Sequence, residues 1–563
     1  VKISFHQEIK PSQKITPEQI VNLIIAKRQI KNIAEFLQPP SPLNIKLTDF
    51  RQSYGVTMKK VVKLLTQIKK TQQMIVIYTD YDADGITGGA ILWETLYLLG
   101  FKVMPHVPHR KKEGYGFSVI GIDTVKRQYD PALIISVDHG ITAKEKVSYA
   151  KKLGIPIVIT DHHLAPKEEP DDALAIFHIP ELSGAGVAYF FAKEIFSRFS
   201  SFTNNRSLLT DNFKSDYLAL AATGIVADMV PLIGPARSIV KYGLQVYPQV
   251  RRPGIRQILK QAGIVDKPIT PYEIGFIIAP RINAVGRLEH AIDALRLLCT
   301  NDQKRAQQLT QHLNDRNTQR QDMVTKAVEE AKELVTRNSQ LATLPKIIIL
   351  QSETWHEGII GLIASKIAEE YYRPTIVITR SDGHYKGSAR SIPSLHMTEF
   401  LRGLKEYLVD VGGHKQAAGF TIASDQIADF TKTAEKKADQ LLTENDLIPL
   451  VEADLKIPVK LATLELFNSL TKLEPFGIGN PRPTFYSAVE LVDAQILGKT
   501  QKHLRLLVKD ANSKTVPLEM IYFNGADMFP QLSRGQTIKI IYSIDLNQWN
   551  GRQKLQGRVI KLI

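Results

Sequence analysis

The 563-residue chain has a single cysteine, Cys299. That excludes a disulfide framework and a thiolate metal site, and it fits a reducing cytoplasm. No apolar run approaches the roughly 20 residues of a membrane-spanning helix, so no membrane association is expected. The opening residues, Val1 to Lys10, lack both a signal-peptide core and an initiating Met. The chain therefore reads as starting inside a longer one. Internal repeats and low-complexity tracts are also absent. Acidic residues are in deficit: 57 Asp and Glu stand against 72 Lys and Arg, a net charge of +15. An excess of that size serves solubility or meets a polyanion, nucleic acid being the commonest. Hydrophobic residues make up 44 % and charged residues 23 %, which excludes a disordered chain.

The most informative stretch runs from Met74 to Gly85, MIVIYTDYDADG. Met74 to Tyr78 predicts a strand buried on both faces, as in a parallel sheet. Asp80, Asp82 and Asp84 follow it, and from Gly85 the pattern becomes helical. Two later apolar runs end in the same way. Ala132 to Val137 leads to Asp138-His139-Gly140, and Ile155 to Thr160 leads to Asp161-His162-His163. Strands alternating with helices predict a parallel sheet, whose strand ends share one edge. A largely apolar helix, Tyr217 to Ala227, brings a further carboxylate, Asp228.

Seven groups should thus converge: Asp80, Asp82, Asp84, Asp138, His162, His163 and Asp228. Crowded carboxylates raise one another's pKa, and a multivalent cation is the simplest way to keep them ionised. Seven ligands exceed the needs of one ion and suit two that share a carboxylate. Mixed carboxylate and imidazole ligation suits Mn²⁺, whereas Mg²⁺ prefers oxygen. Two such ions activate water and stabilise in-line displacement at phosphorus.

The organisation follows the same alternation. An N-terminal extension over residues 1–50 contains one short helix, Pro17 to Leu37, and a Pro-rich break. An α/β domain follows over 51–235. A helical connector spans 236–342. It holds a loop, Ala279 to Arg287 (APRINAVGR), and a long helix from Asn301 to about Arg337. A second α/β domain over 343–448 carries Trp355-His356-Glu357-Gly358, the loop around Ser388 and Arg390, and a Gly-rich loop with Gly413 and His414. Residues 449–563 read as short strands of a small barrel, an OB-fold. Arg281, Arg287 and Arg390, predicted on loops, can each grip a phosphate by two hydrogen bonds. The barrel carries Lys499, Lys502, His503, Arg505 and Lys509 with Tyr522, Phe523, Tyr542 and Trp549. That mixture suits a single strand, although the aromatics serve equally well as core.

DYDADG at Asp80 to Gly85, Asp138 and Asp161-His162-His163 resemble the motifs of the DHH phosphoesterase superfamily. PRINAVGR, WHEG, GSARS and GGHKQAAG resemble its branch of single-strand-specific 5′→3′ DNA exonucleases. The resemblance covers roughly residues 45–563. It implies a DHH domain, a DHHA1 substrate-binding domain joined to it by a long helix, and an OB-fold. By motif, Asp82, Asp84, Asp138, His162 and Asp228 would bind Mn²⁺ or Mg²⁺ as two ions. Asp80 and His163 would be ligands or catalytic neighbours, with Arg281 neutralising developing charge. Arg110, Arg281, Asn283, Arg287, His356, Ser388, Arg390, Gly413 and His414 would hold the strand. Tyr78 stands where some relatives have a histidine ligand, and is not counted. The implied activity is degradation of single-stranded DNA to mononucleotides in recombination and repair, with a helicase and a single-strand-binding protein as partners. A small-substrate phosphoesterase and a non-catalytic strand-binding scaffold are the alternatives.

Overall fold

The structure, a computed structural model, describes residues 2–338, 344–381, 383–513, 515–549 and 552–563; the side chains of 338, 548, 549 and 552 lie outside the description. The chain divides into two compact units. One holds Ile3–Ala279, Leu295–Ala306 and Val451–Ile563; the other is mainly Pro280–Ala294 with Gln307–Leu450.

At the centre of the first unit lies a five-stranded sheet in which every pairing is parallel. Its order is Lys102–His106, Met74–Thr79, Leu133–Val137, Ile157–Asp161, Ala175–His178. The three middle strands are almost wholly buried. This is why their sequences are continuous apolar runs rather than alternating ones. The predicted strands therefore stand side by side and end at one edge. Helices Ala83–Leu98, Gly184–Phe199 and Asp216–Ala227 bring many small buried residues to the sheet: Gly88, Ala90, Gly184, Ala185, Ala188, Ala221, Gly224. Small side chains let helices approach closely. A Cβ at Gly88 would fall within 3.2 Å of the Ala185 nitrogen.

The same unit contains the barrel. Strands Phe485–Leu497, His503–Lys509, Leu518–Tyr522, Arg552–Leu562 and Thr537–Trp549 pair in that order. Pairing of Phe485 with Tyr542 and of Glu490 with Thr537 closes the ring. The N-terminal extension is part of this body. Strand Lys2–Glu8 joins the sheet beside Leu450–Lys456. Ile9, Ile20, Ile24 and Phe36 share a core with Leu455, Leu466, Val489 and Tyr542. The single helix expected over Pro17 to Leu37 is in fact two, Pro17–Lys27 and Ile33–Leu37. Gln29 adopts a left-handed φ of 54°, and the Asn32 side chain caps the second helix by accepting from Glu35 N–H at 3.2 Å.

The second unit has its own sheet, ordered Leu408–Gly413, Ala417–Ile422, His384–Arg390, Thr375–Ser381, Ile348–Gln351. Only the last two strands are parallel. Two expected loops are therefore strands. Ser388 and Arg390 lie within His384–Arg390, and the Gly-rich segment is a hairpin with Gly413 at its turn. The APRINAVGR segment is also not a loop but a helix, Ala279–Leu288. Pro280 has no N–H to continue an α-helical ladder, and the wider π-helical turn Ile274–Ile278 precedes it. The long helix spans Gln303–Asn338, 36 residues without Pro or Gly. Its Ala327, Ala331 and Val335 pack on Trp355, Ile360 and Val377.

Candidate metal centre

Each carboxylate is fixed by its element. Asp80 follows the first strand and donates its N–H to Val137 O at 3.1 Å. Asp82 is the N-cap of helix Ala83–Leu98, where its side chain accepts from Asp84 and Gly85 N–H at 3.0 Å each. Asp84 accepts from Gly184 N–H at 2.6 Å and Ala185 N–H at 3.0 Å. These are free donors at the first turn of Gly184–Phe199, where a helix attracts negative charge. Asp138 leaves the third strand in a left-handed conformation, φ 69°. Asp228 caps Asp216–Ala227, and Met229 behind it has φ 57°. Gly184 and Gly224 have to be glycine, since a Cβ would overlap Asp138 at the first and Asp84 at the second.

His162 Nε2 lies 3.1 Å from Asp138 Oδ1, 3.5 Å from Asp228 Oδ2 and 3.9 Å from Asp84 Oδ2. Three overlapping groups could each hold an ion: Asp138, His162 and His163; Asp84, His162 and Asp228; Asp80, Asp82 and Asp138. Asp138 belongs to two of them, as a shared carboxylate would. The electrostatics match. Burial, and after it Asp82, pushes Asp80 well above the usual carboxylate range. Burial and then Asp84 also raise Asp82, Asp138 and Asp228, the last to about 8. Asp80 Oδ1, Asp138 Oδ1 and His162 Nε2 are buried and accept or donate no hydrogen bond among the described residues. Buried polar atoms without partners are costly. A hard divalent cation would satisfy all three, so these residues fit Mn²⁺ or Mg²⁺.

Sequence reasoning misses Asp161 as a site residue, yet it organises the turn. Its Oδ1 accepts from His162 N–H at 2.7 Å and His163 N–H at 3.1 Å, and pairs with His163 Nδ1 at 2.8 Å; Oδ2 accepts from Ile141 N–H at 2.8 Å. Burial opposes ionisation, but the His163 hydrogen bond leads the effects that hold Asp161 below its ordinary value. In turn His163 is raised to about 9: burial lowers it, and the Asp161 bond together with the charges of Asp161, Asp228 and Asp80 more than offsets that. The other His163 nitrogen meets the Tyr115 hydroxyl at 3.1 Å. Tyr115 borders Tyr81, whose ring lies 5.4 Å beneath the Arg110 guanidinium. Arg110 therefore joins the metal cluster through two aromatics. Tyr78, discounted as a ligand, is buried against His106 and Phe117.

The other predicted strand contacts belong to the second unit. Gly358 packs against the backbone of Arg287, which donates to Gly358 O at 3.3 Å, while His356 Nδ1 accepts from Gly358 N–H at 3.0 Å. Arg390 donates to Ser388 Oγ at 3.3 Å and Ala389 O at 2.9 Å. Held by neutral acceptors, it keeps its charge for an anion. Ala417 pairs with Arg390, and Gly413 with Ala418, so this hairpin lies beside it. Arg281 and Asn283 share helix Ala279–Leu288 with Arg287. On the barrel, Arg505 and Lys509 are paired with Glu519 and Glu490. Tyr542 is core. Phe523 is exposed between Arg558 and His503. The Trp549 side chain lies outside the described residues.

Three family models match: the DHH family, N-terminal domain, over 74–225; the DHHA1 domain over 344–440; and the RecJ OB domain over 453–561. The single-stranded-DNA-specific exonuclease RecJ of Haemophilus influenzae is 30 % identical, across 99 % of this chain and 98 % of its own length. The chain belongs to the RecJ family. RecJ of Bacillus subtilis is 34 % identical over 91 % of this chain, which spans 64 % of that relative's length. RecJ of Thermus thermophilus, crystallised in complex with Mn²⁺, matches the whole chain with a TM-score of 0.80 at 27 % identity, over 79 % of its own length. The same protein's Mg²⁺ complex matches at 0.74. No helix among the described residues is long and apolar enough to cross a membrane.

Proposed function

We propose that this RecJ-family chain is a metal-dependent exonuclease that hydrolyses single-stranded DNA from its 5′ end to mononucleotides, in recombination and repair. The observation that carries this is the convergence of seven metal-capable side chains with three buried, unpartnered polar atoms. Asp82, Asp84, Asp138, His162 and Asp228 hold two cations, with Asp80 beside them. Bound there, Mn²⁺ or Mg²⁺ supplies charge neutralisation at phosphorus and an activated water. The chain's own residues do the rest. Asp161 fixes both histidines. His163, raised to about 9, keeps its proton at neutral pH and so suits donation to the leaving 3′ oxygen. Arg110, on the rim of Tyr81 and Tyr115, receives a phosphate next to a base. Arg281 neutralises developing charge. Asn283, Arg287, His356, Ser388, Arg390, Gly413 and His414 hold the strand. The five-part division at 50, 235, 342 and 448 belongs to the same reading, as do the cytoplasm and cooperation with a helicase and a single-strand-binding protein.

The test uses a long single strand labelled at one end, with Mn²⁺, with Mg²⁺ and with chelator. Early release of a labelled mononucleotide from the 5′ end only is expected, abolished by chelator and by Asp138→Ala. Turnover of dinucleotides with long strands left intact would overturn the reading.

A further inference from the structure

Asp228 differs from the other metal-capable groups in its backbone. Asp80 and Asp138 are tied into the sheet by N–H bonds to neighbouring strands. Asp228 ends a helix and is tied backwards into it, its N–H donating to Gly224 O at 2.9 Å. Met229 has the left-handed φ of 57° that side chains with a Cβ disfavour. Beyond it, Pro231 and Leu232 lie against a segment from the other end of the chain, Leu473 to Asn480. Leu232 N–H donates to Ile478 O at 2.7 Å. A Cβ at Gly477 would sit 2.7 Å from Leu232 Cδ1, and one at Gly479 would sit 2.9 Å from Pro231 Cβ. Glycine at 477 makes room for the Leu232 side chain, and glycine at 479 lets the backbone of Pro231 and Leu232 approach.

The segment is itself clamped. Arg237, fully buried on the helix that follows Asp228, donates to Leu473 O at 3.0 Å, Glu474 O at 2.7 Å and Pro475 O at 3.2 Å. Asn480, also fully buried, donates to Leu473 O at 2.7 Å and Pro475 O at 2.8 Å. Arg28 binds Asn480 Oδ1 from the opposite side. Gly477 and Asn480 exchange backbone bonds of 2.9 and 3.1 Å. Burying a guanidinium is costly unless its N–H groups are paired, and here four carbonyl oxygens, of Phe36, Leu473, Glu474 and Pro475, accept from it.

We infer that Leu473–Asn480, locked by Arg237 and Asn480, is a positioning element for the metal centre that sets Asp228 through Leu232. It rests on the proposed role of Asp228 as a metal ligand and extends it: a segment ahead of the barrel completes the cation site of the parallel sheet. Outer groups that orient a metal ligand are commonly worth tenfold or more in metal affinity.

The test is Mn²⁺ binding, followed by electron paramagnetic resonance of the free ion, on full-length Gly477→Ala and Gly479→Ala, with Asp228→Asn as reference. Gly477 has no left-handed φ, so its Ala variant retains a permitted backbone if Gly479→Ala does not fold. The expected result is roughly tenfold weaker binding of one of the two ions, with KM for single-stranded DNA nearly unchanged, kcat recovered at high Mn²⁺, and Tm nearly unchanged in Gly477→Ala. Wild-type Mn²⁺ affinity in both glycine variants, with affinity lost in Asp228→Asn, would overturn the positioning role alone. Wild-type affinity in Asp228→Asn would overturn the ligand assignment and this inference with it.

Discussion

Asp228 illustrates how a single carboxylate ties stability to acidity. Burial, and then Asp84, raises it to about 8, against an unfolded value of about 3.9. The folded chain therefore holds this proton more tightly than the unfolded chain does. Its contribution to stability is complete below pH ~4 and is lost as the pH rises through about 8. Asp80 and Asp138 shift in the same direction. A cation held by these carboxylates would replace those protons. Mn²⁺ should thus raise Tm more at pH 8 than at pH 5, measured by scanning calorimetry against chelator. Equal shifts at both would mean that the carboxylates are not where the ion binds. His163 and Asp161 act as a separate pair. Asp161 is depressed, so its contribution survives at neutral pH and is lost only in strong acid.

Whole elements differ in how legible they are. The three middle strands can be read because burial on both faces leaves an unbroken apolar run, and the chemistry follows each run at once. Asp80, Asp138 and His162 are found that way. Asp161 escapes because nothing local shows what its carboxylate accepts, and only its four hydrogen bonds reveal a scaffold. The Gly184 and Ala185 donors to Asp84 begin 100 residues from it, beyond any local pattern. Ser388, Arg390 and Gly413 read as loop because glycine and serine usually punctuate; here Ser388 and Arg390 lie in a strand, and Gly413 stands at the turn of the hairpin paired with it. The first helix likewise reads as detached. Its Ile24 is fully buried in the barrel core, so Ile24→Ala should destabilise that body by about 2–4 kcal/mol. Urea unfolding followed by barrel tyrosine fluorescence would read it, and an unchanged midpoint would return the helix to accessory status.

Across the whole molecule the charge of +15 has one direct consequence. Each strand phosphate neutralised releases counterions, so log affinity should fall against log salt by about 0.7 per contact. Anisotropy of a labelled single strand in chelator would measure it, and a slope near zero would detach the basic excess from DNA. The sheet that carries the barrel also sets an order in time. Ser4 bonds Glu452, a separation of 448 positions. At about 5–20 residues per second of synthesis, an edge made first waits roughly 20–90 s for its partner. For that interval the apolar face of helix Pro17–Lys27, with Ile20, Ile24 and Ile25, stays uncovered. The parallel-sheet core can be finished on the ribosome well before Lys2–Glu8 and Pro17–Lys27 meet the strands they pack with, so the topology leaves an early segment waiting on a late one.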